Sequence, residues 1–174
     1  MNTLVEQVRA VLSITPERWQ QMVNTLPVDL LTRPPAPGEW SALKCLQHLL
    51  DAERSNFPVR FRAFLAGQNF APFDPNQPHP EFDAQTPQQL VAAFAHMRQE
   101  SLALLESVKD EDLERTVQHP QLGTVRLGQM LQTWAAHDLM HTVQAERALM
   151  QPFILGCGPW RTFFLDHVVN VPEE

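Results

Sequence analysis

The sequence predicts an all-α protein, a four-helix bundle with a kinked first helix and a short extra C-terminal helix. Three observations carry this. Four stretches place apolar residues at helical spacing, proline-rich connections separate them, and strand signals are nearly absent. The chain has no tyrosine and no long alternating stretch, so helix on helix is the architecture left. Its 174 residues suit one domain, with no linker that would split residues 1–174 in two.

The first helical stretch covers residues 2–25, with Leu4, Val5, Val8, Val11 and Leu12 on one face. Within it "ITPERW" puts Thr15 and Pro16 where a new turn could be capped, so one kinked helix or two short ones are expected. "LPVDLLTRPPAPGEW" reads as a loop. Ser41 caps a second stretch, 41–67, which Pro58 should kink or end. A long loop rich in Pro, Asn and Asp follows. "TPQQ" then starts the third helix, with Thr86 as cap, Pro87 in the first turn and Gln89 reaching back. Its apolar face runs through Leu90, Phe94, Met97, Ser101, Leu104 and Val108. "KDEDLERTVQHPQLGTV" reads as a connection with at most one helical turn. The fourth helix should run from near Arg126 to about Met150, and "WRTFFLDH" suggests a last short one.

Composition narrows function. The formal net charge is -7, with 13 Lys+Arg against 20 Asp+Glu, and no dense basic run exists. Nucleic acid and anionic membrane surfaces are therefore not expected partners. No apolar stretch approaches the ~20 residues of a membrane helix. "MNTLVEQVRAVL" reads as an amphipathic helix and not a signal peptide. Cys45 and Cys157 form no CxxC, so a cytoplasmic location is expected.

The chemistry-bearing stretch is "HDLMHTVQAER", residues 137–147. His137 and His141 are four apart, so on a helix they share a face and can converge on one ion. With seven histidines in the chain the spacing alone is weak evidence. Met130, Trp134, His137, His141, Gln144 and Ala148 fall on one side of the helical wheel, which points that side inward. Leu131, Ala135, Leu139 and Leu149 lie elsewhere, so broad burial is expected. From these residues a metal site and ordinary core or surface histidines remain equal alternatives. Two ligands need at least a third from another helix. Asp138 sits where HExxH metalloproteases carry their general base. It is a candidate base or water-orienting group, or else a solvated helix residue.

A second stretch, "PGEWSALKCLQHLLDAER" (37–54), resembles the first signature of the DinB-like family of four-helix-bundle metal-binding proteins. In that signature a P-G-x-W-S turn opens a helix, and a His about eight residues after the Trp precedes acidic residues. Here Trp40, Ser41, His48, Asp51 and Glu53 match. The family's second signature, His-Asp-x-x-His with a Gln three residues on, matches His137, Asp138, His141 and Gln144. The resemblance spans most of the chain. It implies that His48, His137 and His141 bind one divalent metal (zinc, nickel, iron or manganese) with open positions for water or substrate. The helical wheel alone would place His48 at the surface. Gln144 would bond a ligand or a metal-bound water, or pack between helices. Cys45 lies one turn before His48, near the site or simply buried, and Trp40 is expected to pack at the base of the bundle. Glu53 is a core or supporting residue. His79, His96, His119 and His167 have no matching partner.

The resemblance also implies a homodimer and a small-molecule substrate. The preferred expectation is a metal-dependent transferase that uses a low-molecular-weight thiol. A metal-dependent hydrolase, with Asp138 or Glu53 as base, is the first alternative. A non-enzymatic metal- or ligand-binding stress-related scaffold is the second.

Overall fold

The computed structural model describes residues 3–71 and 80–169. Helix α1 (Leu4–Thr25) is unbroken and starts at a capping box formed by Thr3 and Glu6. Pro16 lies inside it. A proline there deprives the carbonyl four residues back, that of Leu12, of its helical N–H. Arg98 Nη1 donates to Leu12 O at 2.9 Å, and Thr15 Oγ1 donates to Val11 O at 2.9 Å. The missing helical bond is thus replaced from another helix, and of the two expected forms the chain takes one helix and not two short ones. The following segment contains a short helix, α2 (Val28–Thr32), where the sequence suggested only a loop.

The second stretch is three pieces in one rod. Helix α3 (Ala42–Asp51) is capped by Ser41, passes into a π-helical turn (Ala52–Asn56), and continues as α4 (Phe57–Ala66). The kink expected at Pro58 takes this form. Pro58 cannot donate to Arg54, and the turn before it widens, with the Phe57 N–H reaching Ala52 O. Gly67, with φ +64, ends the rod in a left-handed conformation that a side chain would strain. Within the next loop a single turn, α5 (Pro80–Asp83), precedes α6 (Pro87–Leu105), whose Thr86–Gln89 capping box is as expected.

A 3-10 turn (Asp110–Glu114) leads to a hairpin the sequence reading lacked, β1 (Thr116–His119) with β2 (Gly123–Arg126). Its strands have four residues each and bury only Val117, too little for an alternating signal. Phe70 N–H donates to Gln118 O, which ties the chain after α4 to this hairpin. Helix α7 (Leu127–Gly156) is longer than expected at its C-terminal end, because Pro152 lies within it and does not stop it. A 3-10 helix (Gly158–His167) closes the described chain.

The four rods α1, α3–α4, α6 and α7 form a four-helix bundle. Helix α1 packs on α6 and α7, and α3 packs on the same two. The first and second rods therefore lie diagonally, as do the third and fourth, while the second and third are neighbours, and α3 is brought beside α7. One core cluster gathers Leu12, Phe57, Phe61, Leu131 and Trp134, and a second gathers Trp19, Leu46, Leu49, Phe94 and Ala145. Helix α7 is less broadly buried than expected: Leu139, Met140 and Val143 face outward. No helix among the described residues is long and apolar enough to cross a membrane.

Candidate metal centre

His48 projects from the end of α3, and His137 and His141 from the middle of α7. One ring nitrogen from each lies within 4.8 Å of the other two. His48 Nε2 and His137 Nε2 are 3.1 Å apart. Two nitrogens bound to one cation at about 2.0–2.1 Å would be separated by about 2.9 Å in octahedral or about 3.4 Å in tetrahedral geometry. The observed separation falls between these, so the residues present fit a divalent cation. His141 Nδ1 lies 2.9 Å from Gln144 Oε1. With Nδ1–H donating to that oxygen, the Nε2 lone pair is left for an ion, the usual outer support of a metal-bound imidazole.

Electrostatics keep these rings neutral, as ligation requires. Burial, followed by its histidine neighbours, pushes His137 down to about 3. Burial first and His141 second push His48 down to about 4, and burial also lowers His141. Aromatic rings wall the cluster. Trp40 lies 5.0 Å from His48 and stacks at 5.7 Å over His141, so it roofs the site and does not pack at the base of the bundle. Phe57 meets His137 edge-on at 5.1 Å and stacks on Trp134 at 5.3 Å. His137 Nδ1 is buried without a hydrogen-bond partner among the described residues, so packing and the Nε2 contact with His48 orient this ring.

Asp138 belongs to a different cluster. It is 1% exposed and accepts from Arg98 through both carboxylate oxygens. Arg98, equally buried, also donates from Nε to Glu53 Oε2 at 3.0 Å and to Leu12 O. Burial pushes the Glu53 carboxyl above its ordinary range, with Arg98 opposing that shift. One guanidinium thus joins all four rods. Asp138 is neither solvated nor directed at the histidines in this arrangement, and Glu53 faces the same arginine. The π-helical turn places Glu53 there, a consequence of Pro58 that helical periodicity does not show. Arg98 was missed in the sequence because the apolar face drawn through Met97 and Leu104 lies beside the true one. A basic residue flanked at helical spacing by Phe94 and Ser101 was the available signal.

Cys45 is fully buried one turn before His48, and burial raises its thiol to about 12. It packs in the second core cluster and is not a nucleophile near neutral pH. His96 is exposed beside Glu100, His119 sits at the hairpin turn, and the His167 carbonyl accepts from Arg147. His79 lies outside the described residues.

With fold and site defined, likeness to known proteins can be stated. The profile of the DinB superfamily matches residues 12–145. The chain belongs to the DinB superfamily. That DinB match includes His48, His137, Asp138, His141 and Gln144. Among curated sequences it is similar to a "Putative metal-dependent hydrolase" of Bacillus cereus (strain 03BB102). The two are 24% identical over 140 residues, covering 72% of this chain and 80% of the relative. A protein of the same description from Bacillus thuringiensis subsp. konkukian (strain 97-27) matches equally. Among solved structures the fold is similar to that of YfiT from Bacillus subtilis, a probable metal-dependent hydrolase with an unusual four-helix bundle topology. The TM-score is 0.74 at 20% identity, covering 86% of this chain and 87% of that one. The diagonal placement of the first and second rods, and of the third and fourth, is this chain's departure from an up-down-up-down bundle.

Proposed function

We propose that this protein is a cytoplasmic metal-dependent enzyme in which His48, His137 and His141 hold one divalent cation, and that it is a transferase using a low-molecular-weight thiol. The observation that carries the metal reading is the convergence of three neutral imidazole nitrogens within 4.8 Å. When bound, such a cation lowers the pKa of a coordinated thiol or water and so yields a nucleophile near neutral pH. The protein's own residues then have defined tasks. Gln144 fixes the His141 tautomer, while Trp40 and Phe57 hold the rings and limit water access. Arg98 holds Asp138 and Glu53 in the bundle interior. With both carboxylates so engaged, chemistry that needs no protein base is favoured, and this supports thiol over water.

A second reading, a metal-dependent hydrolase, has support of about equal weight in the descriptions of the Bacillus relatives. The two separate in one assay. Zinc- or nickel-loaded protein is incubated with an electrophile such as 1-chloro-2,4-dinitrobenzene, and with p-nitrophenyl esters, each with and without added cysteine or glutathione. Turnover that requires thiol and disappears in His137→Ala supports the transferase. Thiol-independent ester cleavage with the same sensitivity supports the hydrolase.

The homodimer implied by the family resemblance belongs to the same proposal. Leu139, Met140 and Val143 give α7 an exposed apolar strip that a second copy would cover. Light scattering should return twice the chain mass.

A further inference from the structure

The face of α7 that carries His137 and His141 continues toward its N-terminus into a cavity of about 320 Å³. Thr133 and Gln129, one and two turns before His137, line it. The eight residues from His137 to Gln129 span about 12 Å of helix. The opposite wall is Phe57, Arg60 and Phe70. Phe57 is shared between the two places: the ring that lines this cavity is the one set edge-on to His137. The volume is at the small end of ligand pockets.

Two groups here offer donors amid apolar walls. Arg60 is half-buried, its guanidinium 5.1 Å above the Phe70 ring. His119, also in the lining, accepts at Nδ1 from the backbone N–H groups of Gln121 and Leu122, at 3.1 and 3.3 Å. The neutral ring must then carry its proton on Nε2, so its remaining polar atom is a donor. Burial and the nearby Arg60 hold His119 below its ordinary pKa, which keeps it in that neutral form. A fixed cation beside a neutral N–H donor suits a planar anion, since arginine pairs with a carboxylate through two parallel bonds. Phe57, Val125 and Met130 suit an apolar body between that anion and the histidines.

We propose that this cavity is the recognition pocket of the metal centre and takes a small organic acid, its carboxylate at Arg60 and His119 and its apolar body along Phe57 toward His137. The assignment rests on the metal reading for its role and on the cavity's own donors for its specificity. It places the reactive end of the substrate on the side away from the carboxylate.

The test is calorimetric titration of the full chain, zinc-loaded, with 3-phenylpropionate and with its neutral isostere 3-phenylpropanamide. The acid should bind at least about tenfold more tightly than the amide, the size expected of one charge-assisted pair. Arg60→Gln should abolish that preference with zinc content and melting temperature unchanged, and Arg60→Lys should restore part of it. With Mn2+ in place of zinc, the ring protons of the bound acid should relax faster than those of the CH2 beside the carboxylate. Equal binding of acid and amide, a preference that survives Arg60→Gln, or the reverse relaxation order would overturn the proposal. A protein that takes up no metal but keeps the Arg60-dependent preference would overturn the metal reading and leave the anion pocket standing. Zinc-loaded protein without the preference would overturn the pocket alone.

Discussion

His137 and Asp138 are adjacent in sequence, yet they enter two polar clusters of opposite character. Asp138, Glu53 and Arg98 form a charge-paired set, in which one guanidinium serves two carboxylates at the centre of the bundle and Glu53 Oε1 has no hydrogen-bond partner among the described residues. His48, His137 and His141 form an open one, in which neutral nitrogens face one another and a buried ring nitrogen has no partner. Opposite charges that meet in the interior hold rods together, whereas neutral nitrogens that converge with no counter-charge leave lone pairs that suit a cation. The comparison sets a charge-paired cluster beside a neutral, convergent one within one turn of α7.

The charge-paired cluster should dominate stability. Arg98→Met leaves two buried carboxylates without a counter-charge and Leu12 O without its donor, and should cost about 3–5 kcal/mol in urea unfolding. A cost under about 1 kcal/mol would show that the cluster is not needed to join the rods. The open cluster should behave in the opposite way. His141→Ala should change the stability of metal-free protein by less than about 2 kcal/mol. Zinc at about 100 times its Kd should stabilise the wild type by about 2.7 kcal/mol and leave the variant unmoved. Equal stabilisation of both by zinc would place the ion elsewhere.

Metal-free protein should also respond to acid through these rings. His48 and His137 are held at about 4 and about 3 when folded, below the 6.5 of the unfolded chain. Between those values the unfolded state binds more protons, so stability is full above pH 6.5 and falls as pH drops through about 4. A His48→Gln/His137→Gln variant should show a shallower fall between pH 6.5 and 5, measured by chemical denaturation at each pH. Identical slopes would mean that the rings are not buried together. The smallest effect concerns Cys45, whose thiol, raised to about 12, should resist iodoacetamide at pH 8 in native protein, read by mass spectrometry. Rapid alkylation there would show that the core around α3 opens readily.

How much of this was legible in the sequence depended on whether the signal was local. Thr86 and Gln89, Ser41, and the inward side of the last helix were all readable, because caps and periodicity act within a few residues. The pairing of His137 with His141 was readable as spacing. The approach of His48 was readable only through resemblance, since its inward position follows from α3 packing beside α7 and not from its own helical face. Arg98 left only the signal of its Phe94 and Ser101 flanks, and the groups it meets were not readable. Its three partners come from three other rods, and two depend on prolines: Pro16 frees Leu12 O, and Pro58 sets the turn that presents Glu53. The hairpin escaped because two four-residue strands bury too little to leave a pattern.

The most direct measurement is elemental analysis of protein purified without a histidine tag or chelator, beside His48→Ala and His137→Ala/His141→Ala variants. The account predicts about one divalent metal per chain in the wild type and none in either variant, with all three folded. A wild type that holds no metal and takes up neither zinc nor nickel, or variants that retain it in full, would contradict the three-histidine centre.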